Sequence, residues 1–234
     1  MIIRALILLA ALTNAVAASE RPTPVDLELA FVVDASGSID EAETALQRQG
    51  YVEALQHPRI LNAISAGFLG KIAVAYIEFA ADGCTRMSVG WTNIAGAEAA
   101  AAFGARIAAL PYLPCPGGNA VADALQFAAQ SMERNKFEGT RRVIDISGDG
   151  PNTLGLTLSE VRARVVAGGT TINALVLDRP EMPGITDYFR RYVIGGPGAF
   201  YIEAKNHSSF ASAILKKMFT EIAAAPEISI EMRR

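Results

Sequence analysis

The strongest constraint on this chain is a recurring alternation of apolar runs of strand length with helical patterns. Leu27-Glu28-Leu29-Ala30-Phe31-Val32-Val33 stops at Asp34, and Ile72–Phe79, Arg142–Ile146 and Thr171–Leu177 repeat the form. Strands this apolar must be covered on both faces, which is the condition of a parallel sheet. Between them, Ile39 to about Leu55 and Ala95–Leu110 read as helices. Val121, Leu125, Ala128 and Met132 fall on one face of another helix. Leu158, Val161 and Val165 mark a further one, closed by Gly168-Gly169, and Phe210, Ile214, Met218 and Ile222 stripe the last. Cys84–Asn93 and Phe200–Ile202 add two strands. The expected fold class is α/β: a doubly wound, mostly parallel central sheet with helices on both faces.

Composition agrees with one well-filled core. The 234 residues are 51% hydrophobic and 19% charged, which excludes a disordered chain. The net charge of −3, with no Lys/Arg run, excludes a nucleic-acid binder. Met1-Ile2-Ile3-Arg4 followed by apolar Ala5–Leu12 and by Ala15-Val16-Ala17 reads as a signal peptide. The apolar stretch is too short to cross a hydrocarbon core of roughly 30 Å. The expected organisation is a signal peptide at 1–17, a short tether at 18–24, one domain at 25–223 and a tail at 224–234. Export to the periplasm or beyond makes a Cys84–Cys115 disulfide the expected state of the two cysteines.

Sheets of this class place ligand sites outside the carboxyl ends of their strands. That rule singles out Asp34-Ala35-Ser36-Gly37-Ser38, a D-x-S-x-S turn, and Asp149 in Ser147-Gly148-Asp149-Gly150. Two carboxylates and two hydroxyls are hard oxygen donors, suited to Mg²⁺ or Mn²⁺, with Ca²⁺ also possible. Each residue has a plainer reading too. Ser38 with Glu41 spells a capping box, and both aspartates fit strand-to-helix turns. His57 and His207 read as surface or capping residues, and Phe79, Trp91 and Phe200 as core.

The D-x-S-x-S motif after a first apolar strand, with an Asp at a later strand end, resembles the von Willebrand factor type A domain over roughly residues 25 to 223. Arg141–Gly150 and Val193–Phe200 resemble an exported bacterial subfamily of these domains whose function is unassigned. The resemblance implies a Rossmann-like fold and a metal-ion-dependent adhesion site at Asp34, Ser36, Ser38 and Asp149. The family's middle loop reads roughly G-T-x-T-x-x-A-[IL]. Gly118-Asn119-Ala120-Val121-Ala122-Asp123-Ala124-Leu125 aligns with it, and Asn119 takes the place of the metal Thr. An amide carbonyl also binds a hard cation, so Asn119 joins the expected ligands.

The expected function is a non-enzymatic, metal-dependent module that binds a partner protein through a carboxylate on the ion. The alternative is a Mg²⁺-dependent phosphatase of haloacid dehalogenase type, with Asp34 as nucleophile and Gly148–Asn152 as its late metal motif. That class needs a second Asp two residues after the nucleophile, where this chain has Ser36. A structural domain with a vestigial metal site is the third reading.

Overall fold

A computed structural model describes residues 21–224 apart from Ser38, Asp82, Pro116 and Asn206. The expected signal peptide and most of the expected tail lie outside the described residues. The elements run β1 (Thr23–Asp34), α1 (Glu41–Gln56), α2 (Pro58–Ser65), β2 (Ile72–Phe79), β3 (Arg86–Ile94), α3 (Ala97–Ala108) and α4 (Val121–Arg134). They continue with β4 (Phe137–Gly148), α5 (Leu158–Ala167), β5 (Thr170–Leu177), α6 (Ile185–Tyr188), β6 (Tyr201–Ala204) and α7 (His207–Ala223). A π-helical turn at Phe189–Val193 extends α6.

One six-stranded sheet has the order β3-β2-β1-β4-β5-β6, with every neighbouring pair parallel except the edge pair β2–β3. The period-two alternation of β1 explains the two-sided core. Leu29, Phe31 and Val33 face α1, α2, α3 and α7, whereas Ala30 and Val32 face α4, α5 and the π-helical turn. The expected class and its two helical layers are therefore present. Phe79 is core; Trp91 is half-buried, with its indole N–H on Ser131 Oγ at 3.1 Å.

Three local readings change. The expected tether overlaps β1, because Thr23 and Pro24 already pair with β4 opposite Phe137 and Glu138. Thr23 N–H donates to Lys136 O and Asp26 N–H to Lys71 O, so by alternation the Pro24 nitrogen faces the side where β2 has not yet begun. The capping box of α1 is formed by Asp40 and Glu43, with Glu41 the first helical residue, and the expected Ser38 cap lies outside the described residues. Asp40 Oδ1 accepts from Glu43 N–H at 2.8 Å, and Glu43 Oε2 accepts from Asp40 N–H at 3.1 Å. Helix α2 follows α1 directly because Pro58 starts a helix as readily as it stops one. His57 caps it, with Nδ1 accepting from Arg59 N–H at 3.1 Å.

Helix α7 closes one face over a buried ionic cluster. Lys217 Nζ lies 2.5 Å from both Asp145 Oδ1 on β4 and Glu221 Oε1, and Asn173 Nδ2 donates to the same Glu221 oxygen at 2.9 Å. One ammonium between two carboxylates leaves a surplus negative charge in the core. Burial and the nearby Asp145 push Glu221 from its usual 4.5 up to about 8. The folded chain therefore holds a proton that the unfolded chain releases, so this contribution to stability is complete below about pH 4.5 and is lost as pH rises toward 8. The loss has a limiting slope of about 1.4 kcal/mol per pH unit. Melting curves from pH 5 to 8 are expected to fall less steeply for Glu221→Gln than for the parent chain, and parallel curves would contradict the charge assignment.

Candidate functional site

The rim forms where β1 and β4 end side by side beside the start of α4. Val33 pairs with Ser147 in the register, which carries Asp34 out of the centre of the sheet next to Gly148. Ala35 N–H donates to Phe79 O at 2.8 Å and holds the chain against β2 before it turns. The turn itself is an Asx turn: Asp34 Oδ1 accepts from Ser36 N–H at 2.8 Å. Asp34, Ser36, Asn119 and Asp149 are all buried.

Two glycines make this approach possible. A Cβ on Gly148 would meet Asp34 Oδ2 at 3.2 Å and the Phe189 ring of the π-helical turn at 3.4 Å. A Cβ on Gly150 would lie 2.2 Å from Asn119 Nδ2. Asp149 thus sits between two glycines, one against Asp34 and the other against Asn119. Asn119 is clasped through its backbone: its N–H donates to Thr153 Oγ1, and its carbonyl accepts from Thr153 N–H, both at 2.9 Å. Ala120 N–H reaches Ala80 O at 2.9 Å, so the middle loop is also stitched to the end of β2.

Two oxygens at this rim are poorly satisfied. Asp34 Oδ2 and Asn119 Oδ1 are buried without a hydrogen-bond partner. Such atoms are costly to leave unpaired, and a hard cation is one physical way to satisfy them. Burial, and then the charge of Asp149, raise Asp34 from 3.8 to about 7, while hydrogen bonding from Ser36 and from the Asp149 backbone pulls the other way. A cavity of about 10 Å³, enough for one water-sized occupant, is lined by Asp34, Gly148 and Asp149 together with Gln47, Leu177 and Phe210, and not by Ser36 or Asn119. Among the described residues no three His, Cys, Asp or Glu side chains gather into a metal cluster. Any ion here would rely on hydroxyl and amide donors beside the two carboxylates.

Of the five residues expected as ligands, Asp34 accepts a hydrogen bond from Ser36 and adjoins Asp149, Asn119 adjoins Gly150, and Ser38 lies outside the described residues. Two charged residues at the rim were not expected from the sequence. Arg179, just past the end of β5, places Nε 2.9 Å from Asp149 Oδ2 and Nη2 3.4 Å from Glu43 Oε1. The strand-end rule that found Asp34 and Asp149 points equally to Asp178-Arg179 after β5. Glu43 lies one turn into α1 and carries no local signal beyond its capping role. The Cys84–Cys115 disulfide is formed, with Cα atoms 6.4 Å apart, and links the loop before β3 to the loop that presents Asn119.

Comparison with known proteins places this geometry in context. The model of the family described as "Protein of unknown function (DUF1194)" matches residues 24–226. No curated protein matches the chain. Among solved structures, proximal thread matrix protein 1 of the mussel byssus, with a zinc-occupied MIDAS motif, matches at a TM-score of 0.60 and 13% identity over 87% of this chain and 50% of that one. The pilus adhesin SpaC from Lactobacillus rhamnosus GG matches at 0.63 and 15% identity, over 87% of this chain and 31% of that one. The vWF domain of the type V pili tip protein Mfa5 from Porphyromonas gingivalis matches at 0.58 and 11% identity, over 84% of this chain and 95% of that one. The chain spans only 31% to 50% of the length of the first three structures it matches. These likenesses establish the fold: the sheet and its helices have the von Willebrand factor type A architecture.

Proposed function

We propose, from the premise that the chain belongs to the family described as protein of unknown function DUF1194, that it is an exported, divalent-cation-dependent protein-binding module of adhesion type. The ion is Mg²⁺ or Mn²⁺, held by Asp34, Ser36, Ser38, Asn119 and Asp149 directly or through water. The observation that carries the reading is the pair of buried, unpartnered oxygens, Asp34 Oδ2 and Asn119 Oδ1, on either side of Asp149. The zinc-occupied motif of the byssus protein supports divalent binding on this fold. With two formal negative charges around it, the ion keeps enough field to draw a carboxylate from a partner protein. One such contact is small beside the roughly 1,600 Å² of a typical specific interface. Exposed Leu113, Leu156 and Met182, on three loops at the carboxyl ends of the strands, supply apolar surface for the rest. Among the described residues no helix is long and apolar enough to cross a membrane.

Metal binding to the folded state alone adds about 2.7 kcal/mol at a hundredfold excess over Kd. For a domain of this size that raises Tm by about 5–10 °C. The purified chain is expected to show this rise with Mg²⁺, to lose it with chelator, and to show none as Asp34→Ala. Asn119→Thr restores the hydroxyl of the family motif and is expected to keep or tighten binding. Equal responses from the parent chain and Asp34→Ala would remove the metal site from this rim. Metal-dependent hydrolysis of a phosphate ester, lost in Asp34→Ala, would replace the binding module with the phosphatase.

A further inference from the structure

We propose that Arg179 is a tethered counter-cation that competes with the divalent ion for Asp149, so that loading the metal and releasing the guanidinium are one event. The inference rests on the metal-site reading above and concerns how that site is controlled.

Three observations carry it. Arg179 Nε sits 2.9 Å from Asp149 Oδ2, on a carboxylate that the metal needs. The pair is close but out of line, since the buried Nε–H makes no hydrogen bond. At 2.9 Å the pair has the length of a charge-assisted contact but not its alignment, so electrostatic attraction is its main hold. The Arg179 side chain is 24% exposed against 6% for Asp149, so of the two it is the arm that solvent reaches and that can move away. Finally, the arm has a second anchor. Nη2 lies 3.4 and 3.5 Å from the two oxygens of Glu43, whose carboxylate is itself held by the capping box of α1. When Asp149 turns to an ion, the guanidinium keeps Glu43 and stays at the rim.

Two cations on one carboxylate repel each other, so each must weaken the other's hold. Removing the arm should therefore tighten the metal. In titration calorimetry with Mg²⁺, Arg179→Gln is expected to bind about tenfold more tightly than the parent chain, because the metal no longer has to displace one charged interaction of ordinary strength. Arg134→Gln, at the far end of α4 beside the start of β4, removes the same charge from the opposite end of the strands and is expected to leave affinity unchanged. Independently, the Arg179 Nε–H resonance of the parent chain should shift on Mg²⁺ addition and saturate with the calorimetric Kd. Unchanged or weaker binding in Arg179→Gln, equal tightening in Arg134→Gln, or a resonance that ignores Mg²⁺ would each overturn the proposal. If the parent chain binds Mg²⁺ and Asp34→Ala does not, any of those results removes only the counter-cation. If neither the parent chain nor Arg179→Gln binds, the metal site itself falls.

Discussion

Lys217→Ala is expected to lose about 3–5 kcal/mol of folding stability, the usual cost of breaking a buried ion pair by removing one partner. Lys217 is fully buried, and its ammonium is the cation between Asp145 and Glu221. Without it two carboxylates remain in the core, with Asp145 still raising Glu221 and with Asn173 as a neutral donor to Glu221. The damage should spread along β4, because Asp145 lies four residues before Asp149 in the same chain segment. A loss of this size is a large part of the 5–15 kcal/mol that holds a typical domain together. The shape of the cluster matters less than its charge balance. Lys217→Met combined with Asp145→Asn and Glu221→Gln removes charges of both signs together and should recover most of the loss. Urea denaturation of the two variants checks this. A single-variant loss under about 1 kcal/mol would mean that water reaches the cluster, since that is the value of exposed pairs.

The same cluster shows where sequence reading stops. Lys217 and Glu221 stand four apart, and nothing local distinguishes such a pair in a buried helix from a solvated one. Its burial depends on β4 and β5, more than forty residues away in the chain. By contrast, Leu27–Val33 and Ile72–Phe79 were legible as strands because a strand covered on both faces must be apolar throughout. Asp34 and Asp149 followed from them as strand ends, and Asn119 from the resemblance of Gly118–Leu125 to the family's middle-loop motif. The misreadings were local ambiguities of one or two residues. D-x-x-E at Asp40 competes with S-x-x-E at Ser38 for the same helix start. Arg179 stands at a strand end as Asp34 and Asp149 do, but its partner Glu43 is 136 residues away, so only the folded sheet shows that pairing.

Reduction of Cys84–Cys115, or Cys84→Ser with Cys115→Ser, is expected to lower stability by about 3–4 kcal/mol, from the loop-closure entropy restored to the unfolded chain across a separation of 31 residues. For a domain of this size that is a fall in Tm of about 6–16 °C. The metal site should respond far less, although Cys115 lies only four residues before Asn119. Asn119 is gripped by Thr153 through both its N–H and its carbonyl, and Ala120 by Ala80, none of which needs the bridge. Upstream, Arg48 donates to the carbonyls of Leu110 and Pro111 at 2.7 and 3.1 Å while its other bonds reach Glu78 on β2. The Tyr112 hydroxyl donates to Ile39 O at 3.3 Å, and Arg86 reaches Leu113 O at 3.3 Å. With the loop pinned on both sides of the bridge, its loss acts mainly on the unfolded state. The expected pattern is a much lower Tm with a Mg²⁺ Kd within about threefold of the parent, less than the worth of one net hydrogen bond. A Kd weakened tenfold or more at 25 °C, with the fold intact by circular dichroism, would show that the bridge itself positions Asn119 and that the Thr153 clasp does not.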